Sequence, residues 1–155
     1  KSIIAPEIYG DPVLLIAKLT NNRFRVTGER EVALVPNLND YKAGFDFSKI
    51  DIPIIDPRQS WNKVVAEIIK YKFIIASSLH GLVVAEAFGI PARYVRLTEV
   101  EGLFKYHDYY EGTGRVLSHI ATSVAEARQL KGEAPPIIDL EKLTAAFPYD
   151  LWEQS

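Results

Sequence analysis

Phe73-Ile74-Ile75-Ala76-Ser77-Ser78-Leu79-His80-Gly81-Leu82-Val83-Val84-Ala85-Glu86-Ala87-Phe88-Gly89-Ile90-Pro91 decides the fold. Phe73 to Ala76 is short and continuously apolar, as a strand buried on both faces must be. Two serines follow, and Leu82 to Phe88 reads as an apolar helix. Gly89 is a suitable C-terminal stop, and Pro91 prevents the helix from continuing. Arg93 to Leu97 then reads as another strand. Strand, helix and strand with short connections predict a parallel sheet and right-handed crossovers.

The same pattern extends upstream. Val32 to Pro36 reads as the first buried strand. Ile52 to Asp56 reads as a second, with Pro53 placing it at an edge or a strand start. Ser60 opens an amphipathic helix whose Trp61, Val64, Val65, Ile68 and Ile69 share one face, while Lys63, Glu67 and Lys70 face away. Asn37 to Lys49 is turn-rich, with room for a short helix. Near the start, Gly10-Asp11-Pro12 is a helix-start signal, Asp11 as N-cap and Pro12 in the first turn. That helix ends near Thr20, and a polar loop covers 21–31. Downstream, Thr98 to Gly114 reads as a loop with a helical turn or short helix. Ser123 to Lys131 and Asp139 to Phe147 read as helices, separated by an Ala134-Pro135-Pro136 linker. The expected organisation is a helix and linker from a preceding region (1–31), then one Rossmann-like domain (32–155).

Composition narrows the function. With 48% hydrophobic residues, the chain can bury a core. Its 18 basic and 20 acidic residues leave a formal charge of −2, so nothing predicts bulk attraction to nucleic acid. No apolar run reaches the length of a membrane span. The absence of cysteine removes disulfides, thiolate nucleophiles and thiolate metal sites, and is compatible with the cytosol. The chain has no methionine and begins at Lys1, from which a fragment lacking upstream sequence is expected.

Ligands of open parallel sheets bind at the carboxyl ends of the strands. The Ser77–Gly81 turn lies there, where the next helix begins. A helix N-terminus offers free N–H groups and partial positive charge, which suits phosphate or carboxylate. Ser77, Ser78, Leu79, His80 and Gly81 are therefore candidate binding residues. Ser78 is equally explained as an N-cap, and Gly81 as a device for close helix–strand packing. A His in this first turn is a poor structural choice, because the dipole opposes its cation; that favours function for His80.

A second candidate is Phe104-Lys105-Tyr106-His107-Asp108-Tyr109-Tyr110. It suits either sugar recognition, by stacking and hydroxyl bonding, or an aromatic surface docked on the domain or a partner. Arg58 follows the Ile52–Asp56 segment near the same sheet edge and could reach an anion. Arg93 reads as a solvated charge, whereas Arg96 and Arg115 are undecided. No Walker loop, no Gly-x-Gly-x-x-Gly after a strand and no His/Asp/Glu set with metal spacing is present. Ser77 or Ser78 with His80 is not a nucleophile elbow.

These residues resemble the polysaccharide pyruvyl transferase family. Ser77 to Gly81, the apolar helix and Gly89-Ile90-Pro91 match its Ser-Arg-Leu-His-Gly signature. Ile8-Tyr9-Gly10-Asp11-Pro12 resembles the segment preceding the family's second domain, and Val35-Pro36-Asn37 its first strand there, where His often stands at position 37. Lys105 to Tyr110, Gly112-Thr113-Gly114-Arg115 and Ala146 to Trp152 resemble the succinoglycan-type subgroup. The resemblance implies one half of a type B glycosyltransferase-like, two-domain architecture, with the N-terminal domain absent from this chain. It implies transfer of pyruvate from phosphoenolpyruvate to a sugar hydroxyl pair as a ketal, in exopolysaccharide biosynthesis, with no other cofactor and with the isolated fragment inactive. The acceptor would be a sugar or lipid-linked oligosaccharide, and the enzyme cytoplasmic, working where required at the inner face of the membrane. His80 and Lys105 map to catalytic positions and Ser78 to the donor site. Ser78 replaces the family's Arg, so Arg58 or Lys105 would supply the missing charge, and His107 or Asp108 would hold the acceptor. Two alternatives stand beside this. One is a nucleotide-sugar glycosyltransferase with Glu99 or Glu101 on the ribose; the other is a non-catalytic sugar-binding module.

Overall fold

Three parallel strands lie side by side in the order β1-β2-β3: β1 (Arg30–Val35), β2 (Tyr71–Ala76) and β3 (Ala92–Tyr94). The computed structural model describes residues 9–146. Val35 pairs with Ala76 and Ala76 with Tyr94, so all three strands end level, at one edge.

Strand side chains alternate between faces, and here each face has its own cover. Ala33, Val35, Ile74, Ala76, Ala92 and Tyr94 pack into the larger core. Its helical cover comes from α3 (Trp61–Ile68), α4 (Leu79–Ala87) and α5 (Phe104–Gly112). Leu34, Ile75 and Val95 point the other way, onto Ile52 and onto Val124 and Ala127 of α6 (Val124–Leu130). Ile74 and Ile75 are both fully buried, which is why the central strand reads as a continuous apolar run. Each such side chain contributes about 2–3 kcal/mol on burial.

The first helical segment is a 3-10 turn over Pro12–Leu15 continued by α1 (Ile16–Leu19). Asp11 caps it as expected, its Oδ1 accepting from the Val13 N–H at 2.8 Å. Leu14 and Leu15 are buried in the larger core. Asn37 to Lys49 holds α2 (Leu38–Lys42) and a 3-10 turn over Phe47–Lys49. The last helix is α7 (Leu140–Ala145), capped by Asp139; the expected continuation to Phe147, and most of the Ala146–Trp152 match, lie outside the described residues.

Several boundaries differ from the sequence reading. The strand expected over Arg93–Leu97 covers Ala92–Tyr94, with Val95 in a single bridge to Ala121, and β1 and β2 each begin two residues early. The Ile52–Asp56 segment is a single parallel bridge, Leu34 to Ile54, not a full strand. The Leu34 N–H donates to the Pro53 carbonyl and the Ile55 N–H to the Leu34 carbonyl, both at 2.9 Å. Pro53 has no N–H with which to extend the ladder. Helix α4 begins at Leu79, three residues before Leu82, so His80 and Gly81 are inside its first turn. Arg93, expected in solvent, instead donates to the Lys131 carbonyl at 2.7 Å and pairs with Glu133 at 2.5 Å. Among the described residues no helix is long and apolar enough to cross a membrane.

Candidate active site

The carboxyl edge of the sheet carries the Ser77–Gly81 turn, and a polar network fixes it from behind. Asn37 caps α2 in a capping box: its side chain accepts from the Asn39 N–H at 2.9 Å, and Asp40 accepts from the Asn37 N–H at 3.1 Å. Asp40 is buried, yet it also accepts from the Ser77 hydroxyl at 2.5 Å and the Thr98 hydroxyl at 2.7 Å. Ser77 Oγ in turn accepts from the Asn37 N–H at 2.9 Å. Ser77 is thus a buried pin between β1 and β2, its hydroxyl fully engaged.

Tyr106 of α5 completes the support. Its hydroxyl is 2.6 Å from the Ser77 carbonyl and 2.9 Å from Glu101, and its ring stacks on Tyr94 at 4.0 Å. Burial, with the Tyr94 and Glu101 neighbours adding to it, pushes the Tyr106 phenol far above its ordinary value. Burial likewise takes Tyr94 up to about 12.

On this base sits α4, with Ser78 as N-cap. Ser78 Oγ receives the Gly81 N–H at 3.4 Å, a long bond that leaves the helix end weakly satisfied. Gly81 faces inward: a Cβ there would lie 2.9 Å from Val35 Cγ1 and 3.1 Å from Ala76 Cβ. Its missing side chain lets the helix settle on the strand ends. His80 points outward, exposed and without a hydrogen bond to any described residue.

His80, Ser78 and Gly81 line a cleft of about 540 Å³ between α4, α3 and the strand ends. Its walls are mostly apolar, with Ile16, Pro36, Trp61 and Val64 among them, and Asn37, Gln59 and Lys105 provide further polar groups. A second cleft, of about 590 Å³, adjoins it, Leu79 and Lys105 lining both. Lys105 is ion-paired to Glu101 and lies 5.2 Å from the Tyr106 ring centre.

The remaining expected residues are distributed unevenly. Asp108 lines the second cleft, and His107, its neighbour on α5, lines neither. Arg58 also lines neither. Its guanidinium is clamped on Asp56, Nε to Oδ1 at 2.9 Å and Nη2 to Oδ2 at 2.7 Å, and lies over Tyr41. That hydrogen-bonded pair holds the Asp56 carboxyl below its usual range. Glu101, the candidate ribose acceptor, is occupied by Asn37, Lys105 and Tyr106. Among the described residues no three His, Asp or Glu side chains gather as a metal site.

Sequence reasoning missed Asp40, Tyr106 and a buried ion pair between Glu86 of α4 and Arg115, 2.7 Å apart, as supports of the site. One signal was available: Asn37 followed by an acid three residues on is a capping-box pattern. Another was Glu86, a lone acid within an apolar helix, which requires a buried partner.

The succinoglycan biosynthesis protein ExoV of Rhizobium meliloti (strain 1021) is 28% identical over 118 residues, covering 72% of this chain and 36% of that protein. The chain thus spans about a third of the length of this curated relative. No solved structure gives a significant match. The family described as polysaccharide pyruvyl transferase matches residues 3–97, more than half of the chain and the whole Ser77–Pro91 frame. The chain belongs to the polysaccharide pyruvyl transferase family.

Proposed function

We propose that the His80 cleft binds phosphoenolpyruvate and that this chain is the donor-binding part of an enzyme transferring pyruvate to a sugar hydroxyl pair as a ketal, in exopolysaccharide biosynthesis. The observation that carries this is His80 itself: exposed, without a partner among the described residues, and on the first turn of a nine-residue helix at the carboxyl edge of a parallel sheet. The amide groups of that turn attract phosphate and carboxylate. Lys105, ion-paired to Glu101, lies on the cleft wall, and an anion there would compete with Glu101 for its ammonium.

The chemistry needs a proton on the methylene carbon of phosphoenolpyruvate and stabilised positive character at the adjacent carbon. His80 supplies the proton as general acid. One sugar hydroxyl attacks the central carbon, the bond to phosphate oxygen breaks, and the second hydroxyl closes the ketal. Of the two hydroxyl protons released, one restores His80 and the other leaves on hydrogen phosphate. Positioning of the two substrates supplies much of the remaining acceleration.

Phosphoenolpyruvate carries more negative charge than Lys105 can balance, and Arg58 reaches it only by leaving Asp56. A second domain of the full-length protein, closing over the sheet edge, supplies the further cations in this reading. The test is His80→Ala in the full-length enzyme. Pyruvyl transfer should fall at least a hundredfold while circular dichroism and melting temperature stay unchanged, because the side chain is exposed. Unchanged turnover would end the proposal.

A further inference from the structure

The second cleft is acidic where the first is mostly apolar. Tyr9, Asp11, Asp108 and Glu111 line it around the Gly112 backbone, and its cation, Lys105, is held by Glu101. Tyr9 is largely exposed, with its ring available as a platform. Asp108 and Glu111 are exposed, and their side chains make no hydrogen bond or ion pair among the described residues. A phosphorylated anion is repelled there. A neutral sugar is not: carboxylates accept from vicinal hydroxyls, and an aromatic ring covers the C–H face of a pyranose. The volume, about 590 Å³, is that of a small-molecule cleft.

The shared wall gives this cleft its meaning. Leu79 and Lys105 line both spaces, so the two clefts adjoin at these side chains. We propose that the Tyr9–Asp108–Glu111 cleft is the acceptor site, that it takes a neutral hexopyranose, and that its hydroxyl pair meets the donor over the Leu79–Lys105 wall. The assignment of an acceptor rests on the phosphoenolpyruvate reading of the His80 cleft; the prediction that the cleft holds a sugar does not.

The two are separated by titrating the nitrogen-15-labelled chain with methyl β-glucopyranoside or methyl β-galactopyranoside and, in another sample, with phosphoenolpyruvate. At least one glycoside should shift the amides of Tyr9 and of Asp108 to Gly112. The double variant D108N/E111Q should weaken that binding at least tenfold and leave the phosphoenolpyruvate shift of Gly81 in place. Glycosides that leave these amides unmoved, or an unchanged affinity in the double variant, would overturn the acceptor cleft. A Gly81 amide indifferent to phosphoenolpyruvate would overturn the donor reading, whatever the sugar arm shows.

Discussion

Glu86 of α4 and Arg115, just beyond α5, form a bidentate ion pair, Nη1 to Oε1 at 2.7 Å and Nη2 to Oε2 at 2.9 Å. The Glu86 side chain is fully buried and also accepts from the Tyr109 hydroxyl at 2.5 Å. Burial works to lower the Arg115 pKa, but the Glu86 hydrogen bonds and charge outweigh it, and the guanidinium is held above its ordinary value. The pair joins the helix that carries His80 to the helix that carries Lys105. Arg115→Ala would leave the carboxylate buried without its cation, at a cost of about 3–5 kcal/mol. Urea denaturation should show it, and Glu86→Gln should cost less because the amide still bonds Tyr109. Equal stability of R115A and the parent would refute the assignment.

Asp40 tests the base of the site in the same way. Three donors converge on it, from Asn37, Ser77 and Thr98. Asp40→Ala leaves at least the buried Ser77 hydroxyl short of an acceptor, at about 1–3 kcal/mol for each donor stranded. Asp40→Asn keeps one acceptor oxygen and should retain more of the stability. The amides of Ser77 and Ser78 should shift in the alanine variant, since the network holds the turn; a variant as stable as the parent would count against it.

Gly81 separates packing from ligand approach. Gly81→Ala puts a methyl group 2.9 Å from Val35 Cγ1 and about as close to Val35 Cβ. Overpacking of this kind costs about 1–3 kcal/mol. The expected result is a lower denaturation midpoint without bound ligand. A variant of parental stability that loses only phosphoenolpyruvate binding would show that the glycine serves ligand approach instead.

The three parallel strands and helices α3 and α4 were legible because local signals agreed, continuous apolar strands and a Gly-Ile-Pro stop, as did the Asp-Pro start of the first helical segment. Their agreement is what makes a segment readable. The Ile52–Asp56 segment misled because apolar composition cannot report how many ladder bonds form, and Pro53 removes one. Helix α4 begins at Leu79 because Ser78 caps it, as one of the two readings of that serine had it; the apolar run from Leu82 marks the body of the helix and not its start. The site was half legible. His80 stood out by its misfit with the helix dipole. The engagement of Ser77 with Asp40 and of Arg58 with Asp56, and the wall shared by two clefts, are tertiary facts that spacing does not encode.

Alkaline pH should unfold the protein from within. Burial raises the phenols of Tyr94, Tyr106, Tyr109 and Tyr110 above their ordinary value near 10, with Tyr94 at about 12 and Tyr106 and Tyr109 higher. A phenol kept neutral by the fold favours the folded state fully while the unfolded chain is also neutral, below pH ~10. Above that pH the unfolded chain ionises first, and the stability falls progressively toward the folded pKa. The urea midpoint should therefore be flat from pH 8 to about 10 and drop above it. A midpoint unchanged at pH ~11.5 would contradict the burial of these rings as neutral phenols.

Ser78 offers a gain-of-function test of the proposed donor site. Its capping bond to the Gly81 N–H is long, 3.4 Å, so losing it should cost only about 0.5 kcal/mol. The family resemblance leads one to expect Arg there, and the position lines the His80 cleft. A guanidinium at that point would give phosphoenolpyruvate a bidentate, charge-assisted partner, where Arg58 is held away by Asp56. Such a bond contributes about 1.5–3 kcal/mol, or roughly ten- to a hundredfold in affinity. Ser78→Arg should therefore bind phosphoenolpyruvate at least ten times more tightly by calorimetry, with binding that weakens as salt rises. The same variant carrying His80→Ala should keep much of the gain in binding and none in turnover, because in the proposed reaction Arg would hold the anion and His would move the proton. Affinity unchanged in Ser78→Arg would mean that the donor does not lie against this turn.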